Sequence, residues 1–395
     1  MSGPGALGGL RILEMAGTAP APFACMMLAD QGAEVLRVDR ADKVVAEPRI
    51  PVDPLARNRR SVAVDIKTPE GVALIKRLAA EADVIVEGFR PGVMERLGLG
   101  PEVLLELNPR LVYARMTGFG QDGPLAPRAG HDINYIAVAG ALEPIGRRGE
   151  RPQVPLNLVG DFGGGGMMLA FGILAALHER TTSGRGQVVD TAMVDGAALL
   201  SAFIHGLRAD GNWSSERGTN LLDGAAPFYD TYETADGRFM AVGALEGRFY
   251  AQFLQGLGID PGELPDRMNR WDWDSLRERF AEEFRRRTRD QWTEIFADLD
   301  ACVSPVLAPH EVASSPHALA RNGFVDVGGV EQPAPAPRFS RTPAGTPTAP
   351  RSPGTDTDRA LADWGLTSAE IRHLHDSSAI ADATDCERLV EEHTA

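Results

Sequence analysis

Short apolar runs alternate with longer segments of helical periodicity through the first half of the chain, and glycine or proline separates most of them. A short apolar run between turn residues predicts a buried strand, whereas apolar positions three or four residues apart predict a helix. The predicted strands cover residues 10–15, 33–38, 61–65, 84–87, 111–116 and 187–191, and the predicted helices cover residues 23–30, 68–82 and 192–208. This alternation indicates an α/β domain around a parallel sheet.

A different pattern begins near residue 222. Two apolar strands, over residues 228–234 and 239–243, flank Asp236-Gly237, a dipeptide that favours a hairpin turn. Helical patterns follow over residues 248–257, 273–288 and 289–299, so a smaller α+β domain is expected. The predicted regions are a large domain (1–208), a linker (209–221), the small domain (222–325) and a C-terminal segment (326–395). The C-terminal segment consists of a Pro-rich linker and a tail helix, and we expect it to return to the large domain.

Composition narrows the class of protein. The chain has 395 residues, which exceeds the usual size of a domain with a single hydrophobic core, so two domains are expected. Its net charge of −15 argues against nucleic acid or an anionic membrane as a main partner. The three cysteines lie far apart, without the spacing of a metal site or a disulfide framework. The first ten residues lack the pattern of a signal peptide. We therefore expect a cytoplasmic protein without a bound metal.

Basic residues follow three successive predicted strands, although the protein is acidic overall. Arg40 follows the second strand, Lys67 the third, and Arg90 and Arg96 the fourth. The carboxyl ends of parallel strands meet at one edge of a sheet, where ligands of such sheets bind. This placement predicts a site for phosphate groups such as a nucleotide tail, and ordinary surface ion pairs are the alternative.

A dinucleotide site is not expected from the glycines. Gly118, Gly120 and Gly123 have the spacing of a dinucleotide-binding loop. Pro124 and a further loop follow them, however, where a helix would have to begin.

The candidate chemistry lies in two short polar segments. His131 and Asp132 are adjacent in a loop after Gly130, and an unperturbed imidazole titrates close to neutral pH. Asp161 precedes four glycines and the apolar run 167–177, which is too short to cross a bilayer and predicts a buried helix. His131 and Asp161 are therefore candidates for moving a proton at a carbon next to a carbonyl. The alternatives are a structural His131 hydrogen-bonded to Asp132, and Asp161 as a helix cap.

Several motifs, taken in order, resemble the family III CoA-transferase superfamily, and within it the branch of α-methylacyl-CoA racemases. The matching segments cover residues 9–14, 28–35, 57–60, 88–92, 130–135 and 156–165, and the resemblance extends from about residue 10 to residue 339. The Gly-His-Asp-Ile-Asn-Tyr motif of residues 130–135 separates the racemases from the transferases, which generally lack this histidine. The resemblance implies a Rossmann-like large domain, a smaller α+β domain and an interlocked homodimer.

The resemblance also implies an isomerase that interconverts the R and S forms of 2-methylacyl-CoA thioesters at C2. His131 would take the α-proton from one enantiomer, and Asp161 would deliver a proton to the opposite face. The other implied site residues are Glu246, which would orient His131, Asn157, which would hold Asp161, and Asp132, Tyr229, Gly163 and Gly164, which would line the pocket. The implied CoA contacts are Arg40, Val64, Asp65, Ile66, Lys67, Gly88, Phe89, Arg90, Arg96, Gly130, Ile133, Asn134 and Tyr135.

Two other functions stay open at this point. A CoA-transferase would use Asp161 as a nucleophile and would need a carboxylate acceptor, and the tail from about residue 356 resembles that branch of the superfamily. A non-catalytic acyl-CoA binding protein would use neither His131 nor Asp161 chemically. No cofactor is expected beyond the CoA moiety of the substrate.

Overall fold

Seven strands form one sheet in the computed structural model, which describes residues 5–44 and 52–382. Numbered in chain order, they are β1 (Arg11–Met15), β2 (Glu34–Arg40), β3 (Arg59–Val64), β4 (Val84–Glu87), β5 (Val112–Thr117), β6 (Val188–Ala192) and β12 (Ile380–Ala381). Their order across the sheet is β12-β3-β2-β1-β4-β5-β6. Neighbours among β1–β6 are parallel, and β12 is antiparallel to β3. This is the Rossmann-like strand order, so the predicted parallel α/β sheet is confirmed.

The helices of this unit follow the strands. They are α1 (Pro20–Asp30), α2 (Pro69–Glu81), α3 (Val93–Arg96), α4 (Pro101–Leu107), α5 (Asp132–Val138), a π-helix (Leu158–Met167), α6 (Met168–Ser183), α7 (Met193–Leu200), α14 (Thr357–Asp363) and α15 (Ser368–Asp376). Short 3-10 turns cover Ala41–Lys43 and Pro54–Ala56, and a hairpin is formed by β10 (Phe324–Val327) and β11 (Val330–Pro333).

Both faces of the sheet are covered by apolar side chains. Because side chains alternate along a strand, Leu13 and Met15 of β1 belong to one core and Ile12 to the other. The first core includes side chains from α2, α4, α14 and α15, and the second includes side chains from α1 and α6. Burial on both faces explains why the strands are largely apolar and do not alternate regularly with polar residues.

The second unit is a small α+β structure with its own aromatic core. Its antiparallel sheet contains β7 (Tyr229–Glu233), β8 (Phe239–Gly243) and β9 (Val303–Pro305). Its helices are α8 (Ala202–Ala209), α9 (Gly247–Leu257), α10 (Trp273–Phe284), α11 (Arg289–Phe296) and α12 (Pro309–Val312), with α13 (Pro316–Ala320) at the boundary and 3-10 turns at Pro261–Glu263 and Arg270–Asp272. The predicted hairpin is present, and Gly237 turns it with a φ of 71°.

The two units differ from the predicted regions at their edges. The first contains the described residues of Met1–Ala139, Leu156–Leu200 and His317–Ala395, and the second contains Gly140–Pro155 and Ser201–Pro316. The predicted helix over residues 192–208 is interrupted at Ser201, between α7 and α8. Irregular stretches such as residues 140–155 carry no periodicity, so no sequence pattern assigned them to a unit.

The C-terminal segment is held on the edge of the large sheet. The backbone N–H of Gly354 donates to the Ser61 hydroxyl at 2.9 Å, and the N–H of Asp356 donates to the Ser61 carbonyl at 3.0 Å. The Thr357 hydroxyl donates to the Ala381 carbonyl and ties α14 to β12. Cys386, one of the three cysteines, lies outside the described residues.

One helical stretch is longer and more exposed than the sequence predicts. The π-helix continues directly into α6, so Leu158–Ser183 forms 26 consecutive helical residues. By length and composition alone this stretch is able to cross a membrane, a property shared by core helices of soluble proteins. The prediction of a buried helix over residues 167–177 is wrong for Phe171, which is 67% exposed. The length was underestimated because four successive glycines do not indicate a helix.

Candidate active site

A cavity of about 400 Å³ opens at the carboxyl ends of β1, β4 and β5. The strand order reverses beside β1, and ligands of Rossmann-like sheets bind at such a switch point. The loops after these strands and the two candidate catalytic segments line it: Thr18, Ala19, Pro20, Ala21, Gly88, Phe89, Arg90, Pro91, Met116, Thr117, Gly118, Phe119, Ala126, Arg128, Ala129, Gly130, His131, Tyr135, Asp161 and Met193. The fold thus brings His131 and Asp161 to the same cavity.

The loop that carries His131 is fixed by its neighbours. The backbone N–H of His131 donates to the side-chain oxygen of Asn134 at 3.0 Å, at the start of α5. The Tyr135 hydroxyl donates to the Gly130 carbonyl, and the Tyr135 ring leaves no space for a side chain at Gly118 or Gly130. The backbone is therefore held in place while the imidazole stays exposed.

Asp161 lies in the first turn of the π-helix, half-buried, with two polar contacts. Its Oδ2 accepts a hydrogen bond from the Asn157 side-chain amide at 3.1 Å, as the predicted role of Asn157 requires. Its backbone N–H donates to Oδ2 of Asp132 at 2.7 Å. Burial raises the pKa of Asp161, and the negative charge of Asp132 raises this pKa further. The Asn157 hydrogen bond and the His131 imidazole act in the opposite direction.

Asp132 is a buried carboxylate in contact with the backbone of Asp161. It is 6% exposed, and its Oδ1 has no hydrogen-bond partner among the described residues. Its hydrogen bond comes from the backbone N–H of Asp161 and not from the His131 ring. The arrangement does not support the alternative of a structural His131 held by Asp132.

The four glycines before α6 allow the π-helix to pack closely against neighbouring parts of the protein. A Cβ on Gly164 would lie 2.6 Å from the backbone nitrogen of Ala197 in α7, and one on Gly166 would lie 2.7 Å from the Phe23 ring. Gly163 and Gly164 are absent from the cavity lining, so the structure does not bring these two predicted pocket residues to the site. The close contacts explain the glycines without a ligand.

The predicted CoA contacts divide into two groups. The cavity lining includes Gly88, Phe89, Arg90, Gly130 and Tyr135. It does not include Arg40, Val64, Asp65, Ile66, Lys67, Arg96, Ile133 or Asn134.

The basic strand ends differ in their partners. Arg40 at the end of β2 is ion-paired with Asp42, which agrees with the alternative that this arginine forms an ordinary surface ion pair. Arg90 lines the cavity, and among the described residues it has no ion-pair partner. Sequence reasoning missed Arg128, which also lines the cavity, although a basic residue three positions before His131 was a visible signal.

Two predicted site residues belong to the second unit. Glu246 immediately precedes α9, where its carbonyl accepts from the Tyr250 N–H at 2.9 Å. Tyr229 begins β7 and lines a cavity of that unit together with Arg147 and Asp230. Their roles towards His131 and the substrate stay predictions.

One group of side chains has the composition of a metal site. Ligand atoms of Asp358, His375 and Asp382 lie within 4.8 Å of one another at the sheet edge that β12 forms. Nε2 of His375 is 2.7 Å from Oδ1 of Asp358, so an imidazole–carboxylate hydrogen bond accounts for this part of the cluster.

Comparisons with known proteins show the family of this chain. The model of CoA-transferase family III matches residues 7–359. The α-methylacyl-CoA racemase of Mus musculus is 50% identical over 93% of this chain and 96% of its own length, and that of Homo sapiens is 47% identical over 95% and 97%. The crystal structure of a CAIB/BAIF family protein from Brucella suis matches with a TM-score of 0.79 and 25% identity, over 91% of this chain and 99% of that one. The chain belongs to CoA-transferase family III.

Proposed function

We propose that this chain is an isomerase that racemises 2-methylacyl-CoA thioesters at C2, as the names of its mouse and human relatives suggest. The observation that carries the proposal is the pairing of an imidazole, His131, with a carboxyl group of raised pKa, Asp161, in one cavity. A group that must deliver a proton near neutral pH needs such a pKa.

The reaction requires one proton to leave C2 and another to arrive on the opposite face. Neutral His131 takes the α-proton, and the electron pair of the C–H bond moves into the thioester carbonyl to give an enolate. The carboxylic acid of Asp161 then protonates C2 from the other side, which leaves a carboxylate and an imidazolium. In the reverse direction the two groups exchange roles. Positioned acid–base catalysis of this kind is worth roughly 10²- to 10⁴-fold in rate.

The surroundings of Asp161 support its role as the acid. Burial and the charge of Asp132 favour the protonated form, and the Asn157 amide holds the carboxyl group in one orientation. The backbone amide of Asp161 is already bonded to Asp132, so it is not a donor to the enolate oxygen. Stabilisation of the enolate therefore has to come from other donors in the cavity.

The substrate's CoA moiety is proposed to bind at the carboxyl edge of the sheet. Gly88, Phe89 and Arg90 follow β4 and enter the same cavity as the acid–base pair. The exposed guanidinium of Arg90 is a suitable partner for a phosphate or for the pantetheine amides.

The same aspartate would serve a CoA-transferase as nucleophile, and this is the second candidate. A carboxylate attacks a thioester only when ionised, and the raised pKa of Asp161 disfavours that form. The histidine at position 131 has no task in that mechanism.

We further propose that the enzyme acts as a cytoplasmic homodimer and needs no cofactor beyond CoA. Exposed apolar side chains on α6 and α7, including Phe171, Leu174, Leu199 and Leu200, support a protein partner for these two helices. The free thiols Cys25 and Cys302 are in keeping with a reducing compartment.

The experiment that separates the two candidates starts from one pure enantiomer of a 2-methylacyl-CoA, with no acceptor acid. Racemisation predicts that the R and S forms approach a mixture. A transferase predicts no change until a free carboxylic acid is added, and it also predicts that hydroxylamine traps an acylated Asp161. The second pattern would overturn the proposal.

A further inference from the structure

Glu87 is a buried carboxylate directly in front of the loop that enters the cavity. It is the last residue of β4 and is 1% exposed, and the cavity-lining residues Gly88–Pro91 follow it. Its Oε2 accepts a hydrogen bond from the backbone N–H of Phe89 at 2.7 Å. This bond fixes the direction in which the chain leaves the strand, and hence where Phe89 and Arg90 lie.

Arg115 connects Glu87 to the far end of the same loop. It lies opposite Glu87 on the neighbouring strand β5, and its Nε donates to Oε1 of Glu87 at 3.0 Å. A second nitrogen of the same guanidinium donates to Glu95 in α3 at 2.8 Å. One buried cation thus holds the residue before the loop and a residue of the helix after it.

Stability alone is a weak reason for this arrangement. Burial raises the pKa of Glu87, because the charged form has lost its water, and the Phe89 amide and Arg115 only partly offset this loss. Apolar pairs of similar size are often equally or more stabilising at buried positions. A buried ion pair next to a binding loop is better explained by the geometry that it imposes.

We propose that Glu87 and Arg115 are positioning residues for acyl-CoA binding. Together they hold the loop of residues 88–92, between β4 and α3, in the conformation that presents Phe89 and Arg90 to the CoA moiety. Neither residue lines the cavity itself. The inference rests on the proposed function only in taking acyl-CoA as the ligand.

The test measures the dissociation constant of free CoA by titration calorimetry, and KM and kcat for racemisation, in the full-length protein. Glu87→Ala removes both the acceptor of the Phe89 amide and the partner of Arg115. We expect CoA to bind roughly tenfold more weakly, with a matching rise in KM, while kcat at saturation stays within about twofold. Glu87→Gln keeps an acceptor oxygen and is expected to recover part of the affinity.

A matched control separates positioning from general destabilisation. Asp30→Asn disrupts another buried ion pair of the same unit, with Arg57, at the opposite end of α1 from the cavity-lining residues. This variant is expected to lower the thermal midpoint and to leave the CoA dissociation constant unchanged. If Glu87→Ala bound CoA as tightly as the wild type, or if Asp30→Asn lost as much affinity, the inference would be overturned. Racemisation by the wild type would be unaffected by either result. Absence of CoA binding to the wild type would remove the proposed function and this inference with it.

Discussion

The carboxylate of Asp132 accepts a hydrogen bond from the backbone amide of Asp161 at 2.7 Å. Because His131 directly precedes Asp132 in the chain, this bond sets the spacing between the two groups that the proposed reaction needs. It also places a negative charge next to Asp161, which adds to the effect of burial and raises the pKa of the Asp161 carboxyl group.

Replacing Asp132 by asparagine separates these two effects. The amide oxygen still accepts from the Asp161 N–H, but the charge that raises the pKa of Asp161 is lost. The pKa of Asp161 should fall, so less of it is protonated near neutral pH, and kcat/KM should drop roughly tenfold. In the direction in which Asp161 is the acid, activity is lost as Asp161 deprotonates, so the basic limb of the pH–kcat/KM profile should move to lower pH. A basic limb that stays in place, or moves to higher pH, would show that Asp132 does not raise the pKa of Asp161. Asp122→Asn in the preceding exposed loop is the control.

Gly164→Ala should destabilise the fold without touching the cavity. The added methyl group would lie 2.6 Å from the backbone nitrogen of Ala197, so one of the two backbones has to shift in a closely packed interior. We expect a loss of about 1–3 kcal/mol in the free energy of unfolding, measured by urea denaturation. Gly206→Ala in α8 is the matched control, since nothing lies within 4 Å of its added carbon. Equal stability of the two variants would mean that the contact between the π-helix and α7 is not tight.

The fold of the first unit was largely predictable because its strands are buried on both faces. Val84–Glu87 and Val112–Thr117 are short, mostly apolar runs in the sequence, and the basic residues after the second, third and fourth strands indicated the ligand edge of the sheet. The π-helix was not predictable, since glycine disfavours helices and only packing against α1 and α7 explains four in succession. Residues 140–155 have no periodic pattern, so their grouping with the second unit is visible only in three dimensions.

The sequence motifs identified the main residues of the site, but they did not predict how these residues are arranged in space. His131 and Asp161 were identified from loop and glycine context, and they do line one cavity. The resemblance implied Gly163 and Gly164 as pocket residues, but the atoms that lie close to these glycines belong to the protein itself. The bond between Asp132 and the Asp161 amide joins segments 29 positions apart, and no local pattern records it.

Arg90→Gln should weaken substrate binding more than catalysis. Its guanidinium lines the cavity at the carboxyl end of β4, so its loss removes a contact that is the same in the ground state and the transition state. KM should rise roughly tenfold with little change in kcat, as judged by initial rates over a range of acyl-CoA concentrations. Arg110→Gln, before β5 at the opposite edge of the sheet, should leave both parameters unchanged. A fall in kcat with constant KM would place Arg90 in the chemical step instead.

The stability of the second unit should depend on an ion pair outside the site. The Arg289 guanidinium and the Ala308 amide hold the pKa of Glu311 at about 2. A carboxyl group with a lower pKa in the folded state stabilises the fold above its usual pKa near 4.5, and this contribution is lost as the pH falls towards 2. The thermal midpoint of Glu311→Gln should therefore fall less than that of the wild type between about pH 6 and pH 3. Identical pH dependence in the two proteins would contradict this, and Glu294→Gln on α11 controls for net charge.

The central claim is that His131 and Asp161 act on opposite faces of one carbon. The most direct test follows deuterium incorporation at C2 from D₂O into each pure enantiomer of a 2-methylacyl-CoA, with the variants His131→Ala and Asp161→Ala. The account predicts that both variants lose racemisation and that each still exchanges one enantiomer, the opposite one in the two cases, because the remaining group still reaches its own face. Racemisation by either variant, or exchange of the same enantiomer by both, would contradict it.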